Sequence, residues 1–143
     1  IMFRFLKVSL LVVSFTSGLF AASDNFIKKY NYETSYDIAI EKAKKLNKSL
    51  MIVVSTQTCP WCRKLERQTL KKDNINKLIS DGFVPLAIDR DIDVFPASFK
   101  SKVVPTVYFV NPNNEESFLT SYGYKNKRDF KDVLLKATKL SGK

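Results

Sequence analysis

The chain contains no histidine and only two cysteines, Cys59 and Cys62. Without histidine, His-dependent catalysis is closed to it. A tetrahedral zinc site of four Cys/His ligands cannot form within one chain either. Two cysteines are too few for a disulfide scaffold. Acids are scarce beside bases: 14 Asp and Glu against 24 Lys and Arg, a net charge of +10. Such an excess would suit a nucleic acid or an anionic membrane surface. No basic-aromatic array or nucleic-acid motif accompanies it. It reads instead as a solvated lysine-rich surface, with no nucleic-acid partner. No internal repeat and no dimerisation segment is visible, so a monomer is expected. The 143 residues suit one domain with an ordinary apolar core.

What is present begins with residues 1–22, which read as an export signal. Arg4 and Lys7 give a short basic start, residues 8–20 an apolar run, and Ala21-Ala22 small residues for cleavage. The run is short and broken by Ser, Thr and Gly, which disfavours a membrane span. An uncleaved anchor or a buried helix are the alternatives. Residues 23–143 are then the folded domain, with residues 23–34 as a loose lead-in.

Residues 35–47 carry Tyr36, Ala39, Ile40, Ala43 and Leu46 at helical spacing, with Thr34 or Ser35 available as a cap. Residues 50–55 form a continuous apolar strand, as expected inside a sheet covered on both faces. A helix over 59–70, a short helix over 74–80 and a strand over 83–88 follow. Asp89, Asp91 and Asp93 resemble the opening of a calcium loop. Val94 stands where that loop needs glycine and Lys100 where it needs glutamate, so a solvated loop is expected. No metal site is expected anywhere. Residues 95–102 read as a short helical connection. Strands over 105–110 and 117–122 flank an Asn-Pro-Asn-Asn turn. A last helix starts at the Asn126 cap, with Phe130, Val133, Leu134, Ala137 and Leu140 as its stripe. The order gives an α/β class with a central mixed sheet flanked by helices.

The chemistry concentrates in Thr58-Cys59-Pro60-Trp61-Cys62-Arg63-Lys64, placed between strand and helix. At a helix start, unpaired N–H groups and the helix dipole favour negative charge, so a thiolate is stabilised there. Pro60 suits the first helical position. Trp61 offers an apolar surface beside the sulfurs. Thiol–disulfide exchange needs one accessible thiolate and a second thiol to attack the resulting mixed disulfide. A structural disulfide or a two-thiolate metal site are the alternatives; so short a loop would stabilise only weakly.

Cys59-Pro60-Trp61-Cys62 after an apolar strand, with Val104-Pro105-Thr106 before another strand, resembles the thioredoxin superfamily. The longer string from Thr58 to Leu70 is similar to thioredoxin-like proteins exported to the bacterial periplasm. The resemblance covers residues 33–140. It implies a thioredoxin-like fold and a thiol–disulfide oxidoreductase. Cys59 would be the attacking thiol, Cys62 the resolving one, and Pro60 and Trp61 the rest of the active-site motif. It also implies a cis Pro105 against the cysteines, with the Val104 backbone pairing with a bound substrate strand. The redox-active disulfide would serve in place of any cofactor. Partners would be cysteine-containing exported proteins and a membrane or soluble thiol redox donor, in the periplasm.

Two departures stand out. Thioredoxins carry a buried acid six residues before the first cysteine; here that residue is Val53. Lys64, Glu66 or water would have to take its place. The Pro-Trp pair is neither the Gly-Pro of general reductases nor the Pro-His of strong oxidases. A reductase is expected. An oxidase or isomerase, or a non-catalytic module that binds peptides, are the other readings.

Overall fold

The computed structural model describes residues 22–142. The expected export signal, except for Ala22, lies outside the described residues.

The core is a four-stranded sheet in the order β2-β1-β3-β4. Strand β1, Ser49–Ser55, is buried along its whole length. It pairs in parallel with β2, Phe83–Asp89, and antiparallel with β3, Thr106–Asn111. Strand β4, Glu116–Tyr122, returns antiparallel on β3 after the Asn-Pro-Asn-Asn turn. The continuous apolar run of β1 is explained by this placement, because both of its faces are covered.

Alternation along β1 divides the core. Met51 and Val53 face a cluster with Leu65, Leu70, Ile79, Phe109 and Phe130. Leu50, Ile52 and Val54 face the other cluster, with Tyr36, Ile40, Ala43 and Phe99. The second cluster is roofed by α2, Tyr36–Leu46. The first is roofed by α3, Pro60–Leu65, α4, Asp73–Gly82, and α5, Lys127–Leu140. Asn126 caps α5 through its side chain, which accepts from the Asp129 N–H at 2.9 Å. Among the described residues no helix is long and apolar enough to cross a membrane.

The structure corrects several expectations. Residues 23–34 are not a loose lead-in. They contain α1, Asp24–Lys29, with Phe26 and Tyr32 buried in the first core cluster. Glu33 then bridges the outer edge of β2: its N–H donates to the Pro85 carbonyl, and its own carbonyl accepts from Ala87, both at 2.9 Å. The segment therefore closes an edge that would otherwise be open. Helix α4 runs on to Gly82 rather than stopping before Asp81. The connection over 95–102 shrinks to one 3₁₀ turn, Ala97–Phe99. Leu46 and Leu140 sit at helix ends and are about half exposed rather than packed inward. Asp89 is buried at the end of β2 rather than solvated. Its backbone N–H donates to Asp93 Oδ2 at 2.7 Å, and its own Oδ1 accepts from the Asp91 N–H at 2.9 Å. Arg63 and Lys64, on the helix after the cysteines, are half-buried.

Candidate active site

Strand β1 ends at Ser55, whose carbonyl accepts from the Arg90 N–H at 2.9 Å and so ties the ends of the two parallel strands together. The chain then turns through Thr56-Gln57-Thr58 into Cys59, which is the N-cap of α3, with Pro60 at the first helical position. Cys59 Sγ accepts from the Cys62 N–H at 3.1 Å. Sulfur thus occupies the capping position where an oxygen usually satisfies an otherwise unpaired N–H. Cys59 and Cys62 are joined as a disulfide with their Cα atoms 5.2 Å apart. Both cysteines are buried as residues: Cys59 is 8% exposed and Cys62 4%.

Trp61 is 56% exposed and forms the ledge beside the disulfide. It is not a free side chain. Its ring lies 5.8 Å from that of Tyr124, and the Lys64 ammonium stands over both rings at 4.8 and 4.7 Å. Tyr124 is held in turn by a hydrogen bond from its hydroxyl to Gln68, at 3.0 Å. Cation–π contacts at exposed sites are each worth about 0.5–1 kcal/mol, enough to bias the indole toward one orientation. Lys64 is therefore committed to the rings.

The Val104–Pro105 peptide bond is cis. Pro105 is buried and shares a cavity wall with Cys62. The loop ahead of it is pinned by Thr106, whose hydroxyl donates to the Val103 carbonyl at 2.7 Å and lies 3.1 Å from Ser101 Oγ. The Arg90 guanidinium also donates to the Ser101 and Lys102 carbonyls. Gly123, at φ 72°, closes the far side by donating to the Pro105 carbonyl at 2.8 Å. That left-handed conformation is the one a side chain would strain. The structure thus brings together Cys59, Cys62 and Pro105 from distant parts of the sequence, with Trp61 at the rim.

Behind the disulfide lies a cavity of ≈ 10 Å³, room for about one water. Val53, which stands in the sequence where thioredoxins carry a buried acid, lines it. A carboxylate reaches it from another direction. After Leu65 the helix continues as a π-helical turn, Glu66–Leu70. Glu66, one turn beyond Cys62, lines the same cavity and is only 6% exposed. It accepts from Ser23 Oγ at 2.6 Å and from the Ser23 N–H at 3.2 Å, with Lys71 at 3.4 Å and Arg63 at 3.7 Å. Sequence reasoning named Glu66 only as one of several substitutes and did not see Ser23 or Phe26 at the site. The i, i+4 spacing from Cys62 was the available signal for Glu66; nothing local marked Ser23. The buried Tyr32 hydroxyl finds no partner among the described residues. Burial, and then the charge of Glu66, push its phenol well above the ordinary tyrosine range.

A thioredoxin-like domain family matches residues 36–138, and the chain belongs to that family. The fold and the C-x-x-C disulfide at the start of α3 together place it in the thioredoxin-fold class. Among solved structures, a thioredoxin from Thermus thermophilus is similar at a TM-score of 0.64 and 18% identity, covering 73% of this chain and 85% of that one. A DsbH oxidoreductase is similar at a TM-score of 0.63 and 17% identity, covering 76% and 84%. In sequence, human Spermatogenesis-associated protein 20 is 36% identical over 53 residues, which is 37% of this chain and 7% of that protein. An uncharacterised protein of Borreliella burgdorferi is 33% identical over 93 residues, 59% of this chain and 37% of that one. The chain thus matches only a small part of these sequence relatives. Among the described residues no group of three or more His, Cys, Asp or Glu is placed to hold a metal.

Proposed function

We propose that the protein is an exported, periplasmic thiol–disulfide reductase acting as a monomer on the cysteines of other exported proteins. The observation that carries this reading is the Cys59–Cys62 disulfide at the start of α3, packed against Pro105 and flanked by exposed Trp61. In the reduced state the Cys59 thiolate attacks a substrate disulfide. The bond between the two substrate sulfurs breaks, and one substrate thiol leaves with a proton. Cys62 then attacks Cys59, which releases the second substrate thiol and restores the intramolecular disulfide. Two electrons pass to the substrate, and a thiol donor, membrane-bound or soluble, returns them. The Val104 backbone and Trp61 would hold the extended substrate chain beside Cys59. The Pro-Trp pair, unlike the Pro-His of strong oxidases, favours the reducing direction. The short basic and apolar start of the sequence favours export.

The test is reduction of insulin disulfides by the chain and its Cys59→Ser variant. Turnover that vanishes in the variant supports the reading; an equal rate in both overturns it. Cys62→Ser should trap a mixed disulfide through Cys59.

A further inference from the structure

We propose that Glu66 is the proton acceptor for the resolving thiol Cys62, and that Ser23, ahead of α1, positions its carboxylate. The assignment rests on the exchange reading above.

Three observations converge on it. Cys62 must lose a proton before it can attack, and burial makes a bare thiolate costly. The apolar Val53 on the cavity wall cannot take that proton. Of the described residues that line the cavity Glu66 alone is acidic, and it shares a wall with Cys62. Its burial is built rather than incidental. Both hydrogen bonds from Ser23 end on it, one to each carboxylate oxygen. Ala22 and Phe26, from the same segment, close the cavity beside it. The groups facing Glu66 are Ser23, Arg63, Lys71 and, through its field, Tyr32. Arg63 and Lys71 compensate the charge from 3.7 and 3.4 Å, whereas the two hydrogen bonds of Ser23 fix the direction in which the carboxylate points.

The step balances without any further reactant. The Cys62 thiol gives its proton to the Glu66 carboxylate, directly or through a cavity water. The Cys62 thiolate forms a bond to Cys59 Sγ. The bond between Cys59 and the substrate sulfur breaks, its electron pair leaves with the substrate thiolate, and that thiolate takes a proton back from the Glu66 acid or from solvent. The segment before α2 thereby becomes part of the active site rather than a lead-in to the fold.

The test uses the full-length reduced chain and one equivalent of Ellman's reagent. Attack by Cys59 releases the first thionitrobenzoate, and resolution by Cys62 releases the second. In Glu66→Gln the second phase should slow by at least about tenfold while the first stays within about twofold. Ser23→Ala keeps the carboxylate but loses its hydroxyl clamp, so it should slow the second phase selectively, and Ser23→Thr should restore it. Should Glu66→Gln lower the unfolding midpoint, the Ser23 pair still carries the test. A second phase unchanged in both Glu66→Gln and Ser23→Ala overturns the assignment, as does parallel slowing of both phases. If the wild-type chain releases only one thionitrobenzoate, the exchange reading falls and this assignment with it.

Discussion

Truncating Phe26 to alanine is the sharpest probe of how the chain ahead of α2 is held. Phe26 is buried in the first core cluster, with ring centroids 4.6 Å from Tyr32 and 5.6 Å from Tyr30. Truncation of a buried phenylalanine costs about 3–5 kcal/mol, part transfer and part residual cavity. The two ring pairs add to the loss, at about 0.5–1.5 kcal/mol each beyond area. Helix α1 has only six residues and can settle into the gap, which lowers the cost. The expected loss is therefore about 3–4 kcal/mol. In urea, with a slope of about 1–2 kcal/mol per molar, the midpoint should fall by about 2 M. Leu140→Ala, at the half-exposed end of α5, serves as control and should change stability by less than about 0.5 kcal/mol. If Phe26→Ala costs less than about 1 kcal/mol, the segment is not docked as described. The Ser23–Glu66 contact could not then be sustained.

Other outcomes follow from single contacts. Tyr32→Phe removes a buried hydroxyl that has no partner among the described residues and should stabilise the fold by about 1 kcal/mol in the same urea assay. Asn126→Ala removes the α5 cap and should cost about 1 kcal/mol. Tyr32 and Tyr36 both have phenols pushed up in the folded state by burial, Tyr36 also by its hydrogen bond to Glu115. The unfolded chain releases these protons first, at about pH 10. Stability from this source is therefore complete below about pH 10 and falls as pH rises above it. Urea midpoints on either side of that pH should show the fall, and Tyr32→Phe combined with Tyr36→Phe should flatten it. Because the loop between Cys59 and Cys62 is so short, reducing the disulfide should cost no more than about 2 kcal/mol of stability.

The elements that were legible in the sequence are those whose pattern follows directly from burial, on both faces for β1 and on one face for α5. The continuous apolar run of β1 had one interpretation, and the stripe of α5 had another. The C-x-x-C pair, read with its strand and helix, located the sulfurs. What escaped was non-local. Helix α1 offers one buried residue in six, too few for a pattern, and its order comes from docking Phe26 onto the sheet. Glu33 pairs with β2 more than fifty residues away, a contact no local rule predicts. Glu66 has a charge that argues for solvent; Arg63 and Lys71 compensate it, and Ser23, arriving from the start of the domain, completes the buried site. Leu46 and Leu140 fit their helical stripes, but periodicity does not say where the sheet beneath a helix ends.

The reduction potential of the Cys59/Cys62 pair tests the central claim most directly. It is read by equilibrating the protein against dithiothreitol or glutathione buffers and trapping the thiols. A reductase with this site should show a reversible two-electron couple near the roughly −270 mV of thioredoxin. A value near the roughly −120 mV of the strongest periplasmic oxidant would reverse the direction of electron flow. A pair that does not titrate at all would mean a structural disulfide and no exchange chemistry.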